Sequence, residues 1–265
     1  MDALEACAGA VRVCLGAVRL RRGLLAWALS GAALGGSLLK ALGPLPRSYL
    51  SDSGNLLNRY FVKVAWGWTF WLLLPFIALT NYQLTGSRWA VLRRLSSLLV
   101  GTAIWYVCTN VFSQVEHLTG GCYQSAVPDE AARKEPGASK EQCHGGGGFW
   151  HGFDISGHSF LLSFCTLVIV EEMAVLPEVK TDRGQGLHVA LSVLVVALGF
   201  LALVWVGMFL CTAIYFHDLS QKVLGTLFGL LGWYATYGYW YRRPFSPGLP
   251  PRQPGSGPKQ DGFKE

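Results

Sequence analysis

Apolar runs separated by short polar breaks dominate the sequence, and a helix needs about 20 apolar residues to cross a bilayer. The breaks hold glycine and proline, as at Gly43-Pro44-Leu45-Pro46, where proline disfavours helix in the residue before it. This pattern predicts an all-α protein, an integral membrane bundle of six transmembrane helices. The predicted spans are 24–42, 60–79, 95–112, 158–176, 187–212 and 223–240.

Three polar segments lie outside the predicted spans. A short loop, 81–94, joins spans two and three. The long segment 114–154 contains Pro128, Pro136 and a run of four glycines, which predicts loop without a further element. The tail 244–265 is rich in proline, glycine and charge, and we expect it to be disordered.

Composition supports the membrane class. Hydrophobic residues make up 51% of the chain and charged residues 14%, with ten Trp and ten Tyr, which is unusual for a soluble domain. The net charge of +6 is compatible with nucleic-acid binding, but the Lys and Arg residues flank apolar runs and form no basic-aromatic stripe. We therefore expect no nucleic-acid partner.

The distribution of the 22 Lys and Arg residues predicts the orientation. Six spans place both termini on one side, and that side carries fourteen of these cations against six on the other. The side richer in Lys and Arg is normally cytosolic, so both termini are predicted to be cytosolic. The segment 114–154, the start of span four and the turn after span five then face the lumen of an internal membrane.

Seven cysteines bear on the redox environment. Cys122 and Cys143 flank the most polar part of the long loop and lack the company of zinc ligands, which favours a disulfide if the loop faces an oxidising compartment. The other five mostly lie in or beside apolar runs, as is typical of small core residues.

Two charged positions inside predicted spans leave alternatives open. Glu171 and Glu172 near the end of span four are either an intramembrane functional site or side chains at a hydrated boundary. Lys63, at the edge of span two, either extends to the interface or lies near a phosphate group.

The candidate site begins at Ser156-Gly157-His158, where a polar loop meets span four. Backbone N–H groups point outward at a helix N-terminus and favour phosphate there. The alternative is that Ser156 caps the helix and His158 merely lies at the interface. A second histidine, His217, precedes span six and falls on the same predicted membrane face.

Two imidazoles on one face are the minimum needed to cleave a phosphate ester. One attacks phosphorus and carries it as phosphohistidine, and the other protonates the departing oxygen. Ser156, Gly157 and Lys222 are the predicted substrate-binding residues, because a cation and helix N-terminal amides neutralise phosphate oxygens. This scheme requires neither a metal ion nor a cofactor.

Residues 149–160, Phe-Trp-His-Gly-Phe-Asp-Ile-Ser-Gly-His-Ser-Phe, resemble a motif of the fat storage-inducing transmembrane proteins. The stretches 60–85 and 209–229 are similar to that family too, and the resemblance covers nearly the whole chain. More distantly, Ser-Gly-His followed by a later histidine resembles the second and third signatures of the lipid phosphate phosphatases.

The resemblance implies a multi-pass protein of the endoplasmic reticulum that promotes neutral lipid storage in droplets and cleaves fatty acyl-coenzyme A at its diphosphate on the lumenal side. It makes His217 the nucleophile and His158 the acid. The phosphatases' first signature has no counterpart here, and Gln221 stands where they place an aspartate. The phosphate clamp and the residue that orients His217 therefore stay open among Asp154, Asp218 and Lys222.

Two other classes compete with the enzyme. A non-enzymatic membrane protein that binds triacylglycerol and diacylglycerol would use its aromatic and glycine-rich spans to partition lipid into droplets. A transporter would use Glu171 and Glu172 deep in the bundle, although no repeat of three-span halves is evident. The sequence leaves the choice between enzyme and lipid binder open.

Overall fold

Helix α7 (Gly157–Glu172) lies at the centre of the molecule, and thirteen of its sixteen residues are buried. The computed structural model describes residues 2–20, 22–43, 46, 48–125, 139–179 and 185–251. A helix that is apolar on all sides is stable only when other elements surround it. Helices α4, α8 and α9 pack around α7, and the hydrophobic core is built on that contact.

The other elements follow in chain order. The helices are α1 (Asp2–Leu20), α2 (Arg22–Leu42), α3 (Leu56–Tyr60), α4 (Ala65–Thr85), α5 (Arg88–Thr119), α6 (Lys140–Gly145), α8 (Gln185–Tyr215) and α9 (Leu219–Trp233). Two short strands, β1 (Gly121–Tyr123) and β2 (Phe149–His151), pair antiparallel. Shorter 3₁₀ and π segments extend α7 to Glu178 and α9 to Arg242.

The predicted helical membrane bundle is confirmed. Within the described residues, five helices are long and apolar enough to cross a membrane. They cover Gly23–Leu42, Leu56–Thr85, Arg88–Thr119, Gly157–Glu178 and Gly186–Tyr215. The sixth predicted span corresponds to α9, which has fifteen residues and continues into the π segment Tyr234–Tyr239. The count of six spans and the side of the termini stay predictions.

The predicted loop 81–94 is wrong. Helix α4 runs to Thr85 and α5 begins at Arg88, so the connection is a turn of two residues. Gly86 ends α4 in the left-handed conformation with φ 64°, and Ser87 caps α5 by accepting from the Ala90 N–H. Helix α5 begins ahead of its apolar run because arginine, at positions 88, 93 and 94, is itself a good helix former.

The segment 114–154 is also more structured than predicted. Helix α5 continues to Thr119, and β1 pairs with β2 so that Cys122 lies opposite Trp150. Ser139 caps the start of α6 through a capping box. The predicted disulfide between Cys122 and Cys143 is confirmed and joins β1 to α6. Residues 126–138 lie outside the described part of the chain.

The first part of the tail differs from the expected disorder. Arg93 donates hydrogen bonds to the carbonyl oxygens of Pro244 (2.6 Å) and Ser246 (2.8 Å), and Arg94 donates to Gly248. Residues 244–251 are thereby held against α5, because guanidinium groups satisfy carbonyls that a turn-rich segment cannot pair internally. Residues 252–265 lie outside the described part.

A buried ion pair joins the same end of α5 to α7. The Arg94 guanidinium donates to both carboxylate oxygens of Glu172 at 2.8 and 2.6 Å, and the Tyr237 hydroxyl donates to Glu172 at 2.6 Å. Glu172 is therefore buried and bonded to protein groups. It links three helical segments at the end of the bundle opposite His158.

Candidate functional site

His158 lies in the first turn of α7, and Ser156 fixes that turn. The Ser156 hydroxyl accepts a hydrogen bond from the Ser159 N–H (3.2 Å), and its side chain is fully buried. Ser156 is therefore a helix cap, which corrects its prediction as a substrate-binding residue. Gly157 stays a candidate, since a Cβ there would meet nothing within 4 Å and a substrate has room to approach its backbone.

His217 lies in the turn between α8 and α9, in a left-handed conformation with φ 52°. It is the one non-glycine residue of the described chain with positive φ. Such a conformation costs about 1–3 kcal/mol and clusters at functional sites. Lys40, near the end of α2, donates to the His217 carbonyl oxygen at 2.8 Å and so supports this backbone.

Helix packing brings the two histidine segments together. The Ser156 N–H donates to the Gln221 carbonyl at 3.1 Å, which ties the start of α7 to the start of α9. At Gly225 the helices touch so closely that a Cβ would lie 2.3 Å from the Ser156 carbonyl oxygen. His217 and Lys63 both lie near enough to His158 to act on it electrostatically.

The imidazole of His217 is oriented from two sides. Its Nδ1 lies 3.2 Å from the amide oxygen of Gln221 and 3.7 Å from a carboxylate oxygen of Asp154. Both neighbours are acceptors, so Nδ1 carries the proton in the neutral ring. The Nε2 lone pair is then available for attack on an electrophile.

Asp154 is a largely exposed carboxylate that lies among other charges. Burial raises the pKa of Asp154, as does Glu116, while the attraction of His217 and Lys140 opposes the rise. Lys140 also pairs with Glu116 at 2.6 Å, which links α6 to the end of α5 beside the disulfide. Asp154 is therefore held where it faces His217 on one side and the disulfide-linked segment on the other.

The Nε2 atom of His158 is buried and has no hydrogen-bond partner among the described residues. An orphaned buried ring nitrogen is rare and calls for an explanation, such as a ligand group that it contacts. A substrate oxygen would satisfy it. This makes His158 the group suited to give or take a proton next to His217.

The predicted role of Lys222 is corrected. Its side chain is fully buried and its ammonium donates to the Ala213 carbonyl at 2.6 Å, so it binds α8 and not a phosphate. A buried ammonium is stable only with such a partner. Lys40 and Lys63 are also cations near the histidines. The position of Lys63 fits the second of its two predicted alternatives, a lysine near a phosphate group.

Gln221 and Lys40 are the site residues that sequence reasoning missed. Gln221 stands four residues after His217, on the first turn of α9, and an amide oxygen accepts a hydrogen bond there as a carboxylate would. That spacing was the available signal. Lys40 left none, since 177 residues separate it from His217.

The fold is a helical membrane bundle, and one end of it presents two histidines, a carboxylate and lysines. These groups together can bind and transfer a phosphoryl group. The chain belongs to the fat storage-inducing transmembrane protein family, whose model matches residues 46–196 and 178–237.

Relatives match over the whole chain. It is 69% identical to acyl-coenzyme A diphosphatase FITM2 of Sus scrofa over 264 residues, which is 100% of both chains. The Homo sapiens protein of that name is 65% identical over 265 residues, also 100% of both. Fat storage-inducing transmembrane protein 1 of Homo sapiens is 36% identical over 239 residues, 89% of this chain and 79% of that one. No solved structure matches.

Proposed function

We propose that this protein hydrolyses fatty acyl-coenzyme A at its diphosphate, with His217 as nucleophile and His158 as general acid and base. The observation that carries the proposal is the orientation of His217. Gln221 lies within hydrogen-bond distance of Nδ1 and Asp154 lies 3.7 Å from it, which leaves Nε2 available. His158, whose Nε2 is buried without a partner among the described residues, lies near enough to interact with His217 electrostatically. Full-length relatives named acyl-coenzyme A diphosphatase support the choice of substrate.

In the first step, Nε2 of His217 attacks one phosphorus of the diphosphate and forms an N–P bond. The bond from that phosphorus to the bridging oxygen breaks, and His158 gives its proton to the departing phosphate oxygen. The Asp154 carboxylate stabilises the positive charge that develops on the His217 ring. Lys40 and Lys63 supply positive charge near the reacting phosphates.

In the second step, water attacks the phosphohistidine. His158, now neutral, takes a proton from the water, the N–P bond breaks, and His217 is regenerated. The two products are an acyl phosphopantetheine and adenosine bisphosphate. Each carries one phosphate of the former anhydride, so one water molecule is consumed in each turnover.

The proposal extends to location. The protein is placed in the endoplasmic reticulum membrane with the site facing the lumen, where the disulfide beside the site is stable. It also includes a role in lipid droplet formation, with neutral lipids as partners in the membrane. Membership of a family named for fat storage supports that role.

Single histidine substitutions test the chemistry in purified full-length protein reconstituted into liposomes. His217→Ala should abolish release of adenosine bisphosphate from palmitoyl-coenzyme A, because it removes the one imidazole that Gln221 orients for attack. His158→Ala should lower kcat by roughly 10² to 10⁴, the usual contribution of a general acid. Substrate binding should persist in both variants.

His188→Ala is the matched control, because His188 lies near the start of α8 and faces Glu5 at 3.9 Å, away from the site. It should retain the parent rate. A correctly inserted protein with both His158→Ala and His217→Ala that still cleaves acyl-coenzyme A at the parent rate would exclude the enzyme proposal.

A further inference from the structure

Lys63 is an exposed lysine on the 3₁₀ turn Val62–Val64, which precedes α4. Val62 of the same turn is buried in the hydrophobic core, and the turn packs against α7. The backbone that carries Lys63 is therefore fixed. Its ammonium lies near enough to His158 to act on it electrostatically.

Three lysines near the histidines differ in what they already bind. The ammonium of Lys222 is buried and donates to the Ala213 carbonyl, and that of Lys40 donates to the His217 carbonyl. Lys63 makes no hydrogen bond or ion pair with any residue that the structure describes. It is therefore free to bond directly to a ligand, whereas the other two ammonium groups are occupied.

The first turn of α7 offers backbone donors close to this lysine. Ser156 caps the Ser159 N–H, and the Phe160 N–H donates to the Ser156 carbonyl at 3.1 Å. The N–H groups of Gly157 and His158 have no such partner within the described part of the chain. Two free amides at the start of a sixteen-residue helix favour an anion, and the partnerless Nε2 of His158 lies on the same turn.

Contacts connect this turn with His217. The Ser156 N–H donates to the Gln221 carbonyl at 3.1 Å, and the Gln221 amide oxygen lies 3.2 Å from His217 Nδ1. The free amides therefore begin one residue after a group that is bonded to the residue that orients His217. A ligand with two adjacent phosphates can place one at His217 and the other at the α7 turn.

We propose that Lys63 and the free amides of the α7 turn bind the second phosphate of a diphosphate while His217 attacks the first. The proposal rests on the proposed function and adds the basis of its selectivity. When the N–P bond forms, the electron pair of the broken P–O bond stays on the bridging oxygen, which takes the His158 proton. That oxygen belongs to the second phosphate, so these donors stabilise the charge that develops there.

A phosphate monoester lacks a second phosphate and leaves these donors unused. The site should therefore select diphosphates over monoesters, because a donor set that is paired in one complex and unpaired in the other discriminates strongly. Lys63 is thus assigned as a residue that determines the class of substrate.

Lys63→Met tests the assignment in full-length protein in liposomes. It should lower kcat/KM for palmitoyl-coenzyme A by roughly 10- to 100-fold, the usual effect of losing a charged hydrogen bond. Hydrolysis of phosphatidic acid, a monoester, should stay slow and change by less than about twofold. Lys63→Arg keeps the charge and should recover most of the activity on palmitoyl-coenzyme A.

Arg59→Met is the matched control, because Arg59 is an exposed cation four residues before Lys63 and its guanidinium lies over the Tyr60 ring. It removes the same charge from the same segment and should match the parent on both substrates. An equal loss in the Lys63→Met and Arg59→Met proteins would overturn the proposal, since it would show a general effect of charge.

Palmitoyl-dephospho-coenzyme A, which lacks the 3′-phosphate of the adenosine, shows which phosphate Lys63 binds. If Lys63 binds the diphosphate, Lys63→Met should lower kcat/KM by the same factor on this thioester and on palmitoyl-coenzyme A. A loss confined to palmitoyl-coenzyme A would assign Lys63 to the 3′-phosphate and overturn the proposal.

Binding without turnover separates this proposal from the proposed function. Palmitoyl-coenzyme A is titrated into His217→Ala protein, where adding Lys63→Met should raise Kd about tenfold and adding Arg59→Met should not. An unchanged Kd together with an unchanged kcat/KM would refute the role of Lys63. A parent that binds palmitoyl-coenzyme A through Lys63 but cleaves no acyl-coenzyme A would refute the proposed function and leave the binding site standing.

Discussion

At His217 the backbone and the side chain are held by different parts of the chain. Lys40 of α2 bonds the carbonyl of a residue with φ 52°, while Gln221 and Asp154 fix Nδ1. A strained conformation persists only when its surroundings over-determine it. The three contacts together therefore point to a preorganised nucleophile, whose orientation is fixed by folding before substrate binds.

Asp154→Asn should reduce kcat because it removes the charge that stabilises the protonated ring of His217 in the first step. We expect a decrease of roughly two- to fivefold, because the carboxylate lies 3.7 Å from Nδ1 as a largely exposed ion pair and makes no hydrogen bond to it. Binding of substrate should change little, so KM should stay within about twofold.

The pH profile distinguishes this role from simple packing. Burial raises the pKa of Asp154, so its carboxylate becomes protonated at a higher pH than that of an ordinary aspartate. Activity should fall as this protonation proceeds. In Asp154→Asn that titration is absent. The acid side of the rate profile should therefore move to lower pH. An unchanged profile with a uniformly lower rate would assign Asp154 a packing role only.

Sequence reasoning found the histidines but only part of their surroundings. His158 and His217 belong to motifs that a linear pattern displays, and the charge count placed them on one face. Ser156 and Lys222 were assigned to substrate from residue type, whereas three-dimensional contacts use them as a cap and a helix tether. Residue type shows which interactions a side chain can make, and packing decides which partner it makes them with.

At the scale of elements, the contact between α7 and α9 sets the distance between the histidine segments. Gly225 and Gly229 face Ser156 and Ser163 at distances that admit no side chain. Small residues are the usual means by which membrane helices approach closely. The glycines of α9 are thus part of the site although they lie within the bundle.

Gly225→Ala should destabilise the protein by about 1–3 kcal/mol and lower activity, since its Cβ would press on the Ser156 backbone. Gly207→Ala is the control, because Gly207 of α8 is exposed and a Cβ there meets nothing within 4 Å. It should be neutral or slightly stabilising, as alanine is the better helix former. Thermal unfolding in detergent and turnover in liposomes measure both effects. Equal stability of the two variants would show that the α7–α9 contact accommodates an added Cβ at little cost in free energy.

The buried pair of Arg94 and Glu172 has a structural role that stability measurements can separate from transport. Glu172→Ala leaves the guanidinium buried without its carboxylate and should cost about 3–5 kcal/mol. The double variant Arg94→Met, Glu172→Leu should recover much of that loss, since apolar pairs often replace buried ion pairs well. Unchanged unfolding of Glu172→Ala, with loss of a proton-coupled flux, would favour a transporter.

Apolar patterning located the membrane helices but not their ends. The predicted spans are shorter than the helices, because α4, α5 and α8 continue past residues 79, 112 and 212. The strand pair and α6 were missed because three-residue strands and a six-residue helix carry too little periodicity to detect. The disulfide between them was predicted because cysteine chemistry needs no periodicity.

Across the whole molecule, the two ends of the bundle differ in chemistry. One end has the Cys122–Cys143 disulfide, Asp154 and both histidines. The other has the guanidinium groups of Arg93 and Arg94 bonded to the chain beyond α9. Disulfides persist in oxidising compartments and arginines accumulate on the cytosolic side, so the disulfide supports the orientation that we propose from the charge count.

The orientation predicts that tags at both termini are accessible to protease in microsomes whose lumen is sealed. A glycosylation sequon built near Ala131, which lies outside the described residues but between the two bonded cysteines in sequence, should become glycosylated. A sequon of the same length inserted after Tyr241, on the arginine-rich side, is the control and should stay unmodified. A protected N-terminal tag would place the disulfide in the reducing cytosol and require the histidines to act on the cytosolic face, which would remove the lumenal site from the proposed function.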